Sequence, residues 1–189
     1  DLYKRQTISS SNSENSRFDP TNKGKFMRIS VIIPVYNEEK TIHRVINEWD
    51  KELGYIVQNY HIHIFNDGSK DGTEEILKGK LSSNARLTCH HQRNKGHGPT
   101  ILAAYKTFRD VEWIFQTDSD GEVLAKDFTR LWEKRDDHDL LLGKRTDRKG
   151  SITRRLISTV GRYTLRFLAQ SKIDDPNVPF RLIRCQKFN

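Results

Sequence analysis

The sequence predicts an α/β domain built on a mainly parallel sheet. Short apolar runs of strand character recur along the chain, beginning with RISVIIPVY at residues 28–36. Helical patterns separate them, and polar clusters rich in Gly, Asn and Asp follow them. Strands alternating with helices imply right-handed βαβ crossovers, and hence parallel neighbours.

Residues 28–36 are nearly continuous in β-branched residues, as in a strand buried on both faces. Pro34 falls near the end, where a missing N–H does little harm. Asn37-Glu38-Glu39 opens a helical pattern carried by Ile42, Val45, Ile46 and Trp49, and Gly54 stops it. HIHIF (61–65) is a second strand, closed by NDGSKDGT (66–73) before a helix over 73–80. Residues 86–91 form a weaker third strand. NKGHGP (94–99) is a glycine-rich turn into a helix containing Ile101, Leu102, Ala104, Tyr105 and Phe108, with Pro99 in its first turn. A fourth strand spans 111–116. A helix over 127–135 presents Phe128, Leu131 and Trp132. Residues 139–143 are a fifth strand, 152–169 a long basic helix, and 180–183 a last short strand.

The chain has 189 residues, enough for one domain with a proper core. Hydrophobic content of 34% is low against 31% charged residues, so part of the chain is polar tail or exposed loop. Residues 1–25 read as a disordered tail or one foreign to the native chain, and 26–189 as one domain that stops without a tidy end. The net charge of +8 points to an anionic partner: nucleic acid, nucleotide or an acidic membrane surface. Cys89 and Cys185 make neither a disulfide framework nor a CxxC metal site. The first thirty residues lack a signal-peptide core, and no run approaches the roughly 18 apolar residues of a membrane span. A reducing, cytoplasmic location is the expectation.

The polar clusters follow strands, and in parallel sheets ligands sit beyond the carboxyl ends of strands. After the fourth strand come Asp118, Asp120 and Glu122. On extended backbone, side chains at i, i+2 and i+4 face one way, and three facing carboxylates call for a hard divalent cation. The alternative is a solvated polar loop, which the repeated placement of such clusters disfavours. Asp67 sits where a carboxylate accepts hydrogen bonds from a base or ribose, with an Asx-turn or helix cap as alternative; for Asp71 the Asx-turn or cap is preferred. His97, between two glycines before a helix, marks a backbone site suited to anions and fits neither GxGxxG nor a Walker loop. Lys144, Arg145, Arg148, Lys149, Arg154 and Arg155 form a basic segment that either clamps phosphate or solubilises the surface. The helix after it either lies on a membrane or packs on the sheet.

Taken together, ISVIIPVYNEE (29–39), NDGSKDGT, NKGHGPTI, QTDSDGE (116–122) and LLGKR (141–145) resemble glycosyltransferase family 2. DDPNVPFR (174–181) is similar to a segment of the polyprenyl-phosphate (dolichyl-phosphate) sugar synthases within it. The resemblance covers residues 28 to the end. It implies a three-layer α/β/α GT-A (Rossmann-like) fold and an inverting, membrane-associated enzyme. Such an enzyme moves a sugar from a UDP- or GDP-linked donor to a dolichyl or undecaprenyl phosphate with Mg²⁺ or Mn²⁺. Pro34, Tyr36, Glu38 and Asp67 would line the nucleotide pocket. Asp118 would lie near the nucleotide and ribose, Asp120 on the metal, and Glu122 in the place of a further ligand. Arg145 and one of Arg154 or Arg155 would bind phosphate. His97 and Asn177-Val178-Pro179 depart from the family pattern.

The chemistry fits. A diphosphate leaving group needs its charge neutralised, by a cation on Asp120 and Glu122 and by arginines. A lipid-phosphate acceptor is already an anion and needs no base. A glycan hydroxyl acceptor needs one, and Asp174 or Asp175 is the candidate. A nucleic-acid-binding module would interleave aromatics with the basic segment; Tyr163 and Phe167 are too few, and the acids would repel phosphates, so nucleic acid is not expected as a partner.

Overall fold

The computed structural model describes residues 29–108, 111–143 and 178–185, and the backbone of residues 6–7. The elements in chain order are β1 (Gln6–Thr7), β2 (Ile29–Val35), α1 (Ile42–Ile56), β3 (Tyr60–Asn66), α2 (Thr73–Leu81), β4 (Leu87–His91), α3 (His97–Thr107), β5 (Trp113–Gln116), α4 (Phe128–Trp132), β6 (Leu140–Leu142) and β7 (Arg181–Arg184). The strands form one sheet in the order β1-β6-β7-β5-β2-β3-β4. β5, β2, β3 and β4 run parallel, while β7 lies antiparallel between β5 and β6.

Alternation along the strands builds the layers. Ile29, Val31, Ile33 and Val35 face α1, α2 and α4, together with Ile62, Ile64, Trp113 and Phe115. The opposite parity, Ile32, Phe65 and Ile114, meets Ala104 of α3. Helices thus cover both faces of a mainly parallel sheet. Phe115 centres the larger core, with ring centroids 5.1 Å from Trp49, 4.7 Å from Phe128 and 5.1 Å from Phe180. Each such side chain contributes about 1.5–3 kcal/mol by leaving water. This knot anchors the chain three residues before Asp118.

Several boundaries differ from expectation, each for a physical reason. α1 begins at Ile42 rather than at Asn37, because Asn37 takes a left-handed φ of 56° and residues 39–41 form a turn. It continues past Gly54 to Ile56, held by fully buried Leu53. The helix expected over 127–135 is only the five residues of α4, flanked by short 3₁₀ turns at Ala125–Asp127 and Arg135–Asp137. Within the segment read as a tail, Gln6–Thr7 pairs antiparallel with Leu141–Leu142 at the sheet edge. The basic helix expected over 152–169 lies outside the described residues.

A layer of histidines lies on the α3 face. His63 and His90 ring nitrogens are 3.3 Å apart, His61 stacks 4.6 Å from His63, and Phe108 covers His63 at 4.0 Å. Burial, then the charges of His61 and His90, push His63 from its ordinary 6.5 down to about 3. Burial likewise lowers His61 and His90. A folded-state value below the unfolded one means that the unfolded chain takes the proton first. Stability is therefore whole above 6.5 and is lost as pH falls toward 3. Each such group adds a slope of up to about 1.4 kcal/mol per pH unit. Urea unfolding at a series of pH values across this window is expected to show a falling midpoint, with a shallower slope in His63→Leu; an unchanged slope would remove His63 from the account.

Candidate active site

β5, β2 and β3 are neighbours in the sheet and run parallel, so their carboxyl ends bring three polar segments together. The first two are sewn to each other. Ser69 Oγ accepts from the Asn37 N–H at 3.0 Å, and Asn37 Oδ1 accepts from the Lys70 N–H at 2.8 Å. Thr73 Oγ1 accepts from the Glu38 N–H at 2.9 Å, and Glu39 Oε2 from the Gly72 N–H at 2.8 Å. Asp71 accepts from its neighbour Thr73, N–H and hydroxyl both, which is the Asx-turn expected of it. These bonds hold Tyr36 and Glu38 at the sheet edge.

Asp67 organises the next wall. It is 4% exposed, yet its carboxylate accepts from Gln92 Nε2 at 2.6 Å, the Lys95 N–H at 2.9 Å and the Gly96 N–H at 2.8 Å. Burial alone would raise its pKa; the hydrogen bonds from Lys95, Gln92, Gly96 and Thr100 outweigh that and leave it lowered. Gly68 makes the approach possible. Its φ is 73°, and a Cβ there would stand 2.9 Å from the Asn94 backbone nitrogen. Asp67 thus pins the β4–α3 loop, a role beyond the base or ribose contact read from sequence.

That loop delivers His97 to the start of α3, with Pro99 in the helix's first turn. His97 Nε2 lies 3.8 Å from Asp118 Oδ1. Burial first, and then the Arg181 cation, lower the imidazole's pKa, with Asp67 acting in the opposite direction. Behind it, the Tyr105 hydroxyl donates to Gln116 Oε1.

The acidic segment is a turn rather than an extension of the strand. β5 stops at Gln116, Gly121 has φ 72°, and Asp120 Oδ1 accepts from the Glu122 N–H at 2.9 Å. The period-two argument for three facing carboxylates therefore does not hold. Asp118 and Asp120 face the same cavity, whereas Glu122 is exposed and outside its lining. Among the described residues, no three His, Cys, Asp or Glu side chains gather to hold a metal. What remains fits a hard cation as two oxygen ligands from one turn, with the rest of its shell open.

The cavity measures about 270 Å³. Pro34, Tyr36, Glu38, Asp67, Asp118 and Asp120, all singled out in the sequence, line it together. Asn94, Gly96, His97, Thr100 and Ser119 join them. Sequence reasoning passed over Asn94 and Thr100, although both lie within NKGHGPTI, and over Ser119 between the two aspartates. Tyr36 is 43% exposed at the rim, buried Pro34 forms the floor, and Glu38 Oε2 accepts from Thr41 Oγ1 at 2.5 Å. Arg145, Arg154, Arg155, Asp174 and Asp175 lie outside the described residues.

The chain is similar to known proteins in sequence and in fold. Undecaprenyl-phosphate 4-deoxy-4-formamido-L-arabinose transferase of Proteus mirabilis (strain HI4320) is 26% identical over 137 residues, 71% of this chain and 42% of that protein. Bactoprenol glucosyl transferase of Shigella phage SfX is 33% identical over 128 residues, 65% of this chain and 40% of that protein. The matched stretch thus spans less than half the length of either relative. Glucosyl-3-phosphoglycerate synthase of Mycobacterium tuberculosis, solved with phosphoglyceric acid, superposes with a TM-score of 0.60 at 20% identity, over 85% of this chain and 57% of that one. That likeness shows the GT-A fold. No helix among the described residues is long and apolar enough to cross a membrane. Residues 30–189 match the family described as Glycosyl transferase family 2, and with most of its length covered the chain belongs to that family.

Proposed function

We propose that the chain is the catalytic domain of an inverting glycosyltransferase. It moves a sugar from a UDP- or GDP-linked donor to a dolichyl or undecaprenyl phosphate, at the cytoplasmic face of a membrane. The observation that carries this reading is the convergence of Pro34, Tyr36, Glu38, Asp67, Asp118 and Asp120 on one cavity at the carboxyl edge of the sheet. Two of the relatives named above carry polyprenyl-phosphate acceptors in their names, which supports the acceptor class.

Each residue has a task. Tyr36 at the rim flanks the base. Asp67 lines the pocket beside it, and its carboxylate, already accepting from Gln92, Lys95 and Gly96, holds the wall against which the base rests. Asp118 accepts from the ribose, and Asp118 with Asp120 would hold Mg²⁺ or Mn²⁺. When bound, that cation neutralises the charge of the departing diphosphate. Arg145 and one of Arg154 or Arg155 add fixed positive charge on the phosphates. The acceptor phosphate attacks from the face opposite the leaving group, which inverts the anomeric centre.

Calorimetric titration with UDP and GDP, with and without Mn²⁺, tests the donor half. Binding that strengthens with Mn²⁺ is expected, and no binding of either nucleotide sinks the reading. Asp175→Asn tests the acceptor half. An anionic acceptor needs no proton removed, so transfer to lipid phosphate stays within about threefold of wild type. A loss of about 10²–10⁴ would mean that a hydroxyl is the nucleophile and Asp175 its base.

A further inference from the structure

The acidic turn has a cationic neighbour that its own sequence does not announce. Arg44 lies on α1, remote in sequence from residues 118–122. A Cβ on Gly121 would fall 2.4 Å from Arg44 Nη2, 3.1 Å from Cζ and 3.3 Å from Nη1. The guanidinium therefore occupies the space that a side chain at the middle of the turn would take, with Nη2 nearest. Glu48, one helical turn on, braces it: Arg44 Nη1 donates to Glu48 Oε1 at 3.2 Å and Oε2 at 3.3 Å. On its other side the turn runs into the buried Val123, Ala125 and Phe128. Gly121 is constrained by its left-handed φ of 72°, and a side chain there would have to move the Arg44 guanidinium aside.

We propose that Arg44 is a positioning residue of the donor site: its guanidinium, braced by Glu48, clasps Gly121 and holds the turn that presents Asp118 and Asp120 to the cavity. This rests on the donor-site reading above. Two effects of Arg44 on a bound cation oppose each other. Its charge repels the cation, but the side chain is 52% exposed, where water and salt screen such interactions to a minor effect. Its packing fixes ligand orientation, and loss of such support costs about ten- to a hundredfold in metal affinity. Orientation wins, so removing the cation weakens rather than strengthens metal-dependent binding.

The test uses wild type, Arg44→Ala, Gly121→Ala and the double variant. Arg44→Ala is expected to raise the Mn²⁺ concentration that half-saturates UDP or GDP binding about tenfold. The Glu122 amide, bonded to Asp120 Oδ1, is expected to exchange its hydrogen faster in the metal-free protein, with the melting temperature nearly unchanged. Gly121→Ala displaces the guanidinium, so its effects in the Arg44→Ala background shrink to those of backbone strain, and the pair is non-additive. Unchanged exchange at Glu122, additive variants, or tighter Mn²⁺-dependent binding in Arg44→Ala would each overturn the clasp. Absence of nucleotide binding by wild type would instead overturn the donor site, and amide exchange with the double-variant comparison would still decide the clasp.

Discussion

Asp120→Ala is expected to lower sugar transfer by about three orders of magnitude or more while leaving the fold in place. The two halves of this expectation come from different atoms. Structurally, among the described residues Asp120 holds its own turn, through the bond from the Glu122 N–H to Oδ1. Losing one such capping bond costs about 1 kcal/mol. Chemically, Asp120 is one of two carboxylates that the turn offers to the cavity. Without it, the charge that builds on a departing diphosphate loses its principal counterweight. Asp120→Asn separates the halves, because its amide oxygen restores the cap but not the anionic ligand. Melting temperature is expected to recover in Asn while initial rates stay as low as in Ala. Recovery of rate in Asn would assign Asp120 a purely structural role.

Asp67→Ala is expected to damage both stability and binding. The carboxylate satisfies the Lys95 and Gly96 N–H groups and Gln92 Nε2, all at 2.9 Å or less. Lys95 is exposed and Gln92 and Gly96 are half-buried, so water can reach these donors and each lost bond costs about 0.5–1.5 kcal/mol. Their sum is an appreciable part of the roughly 5–15 kcal/mol that stabilises an ordinary domain. The unhooked loop carries Asn94, Gly96 and His97, so the cavity loses a wall with it. Asp67→Asn does not rescue, since the amide nitrogen would turn a donor toward donors. A lowered urea midpoint and at least about tenfold weaker nucleotide binding are expected in both variants, by unfolding and calorimetry. The pH dependence follows with its sign. Asp67 titrates below its ordinary 3.8 when folded, so its contribution is present above that value and is lost as pH falls below it.

The central strands were legible because residues buried on both faces leave little choice. ISVIIPV and HIHIF state their period and their ends, and the clusters after them state where a ligand belongs. Asp71 was legible because an Asx-turn is local. What sequence hid was tertiary. RLIR of β7 carries no sign of its direction, and its antiparallel insertion between β5 and β6 depends on partners distant in the chain. The start of α1 moved because Asn37, Glu38 and Glu39 spend their hydrogen-bonding groups on residues 69–73. Glu122 lies outside the cavity lining, and Gly121 turns the backbone just before it, which a count of alternating acids does not register. Arg44 was invisible for the opposite reason: nothing local marks a helix surface cation as the neighbour of a glycine on a separate loop.

The measurement that bears most directly on the whole account is a transfer assay with this protein. UDP- and GDP-sugars carrying a radiolabel in the sugar are offered with Mn²⁺ and with undecaprenyl or dolichyl phosphate. The account predicts label in the lipid fraction with one donor, absent in Asp120→Ala. Label that stays in the aqueous phase with every donor while passing to a glycan hydroxyl would contradict the acceptor. Full transfer by Asp120→Ala would contradict the site itself.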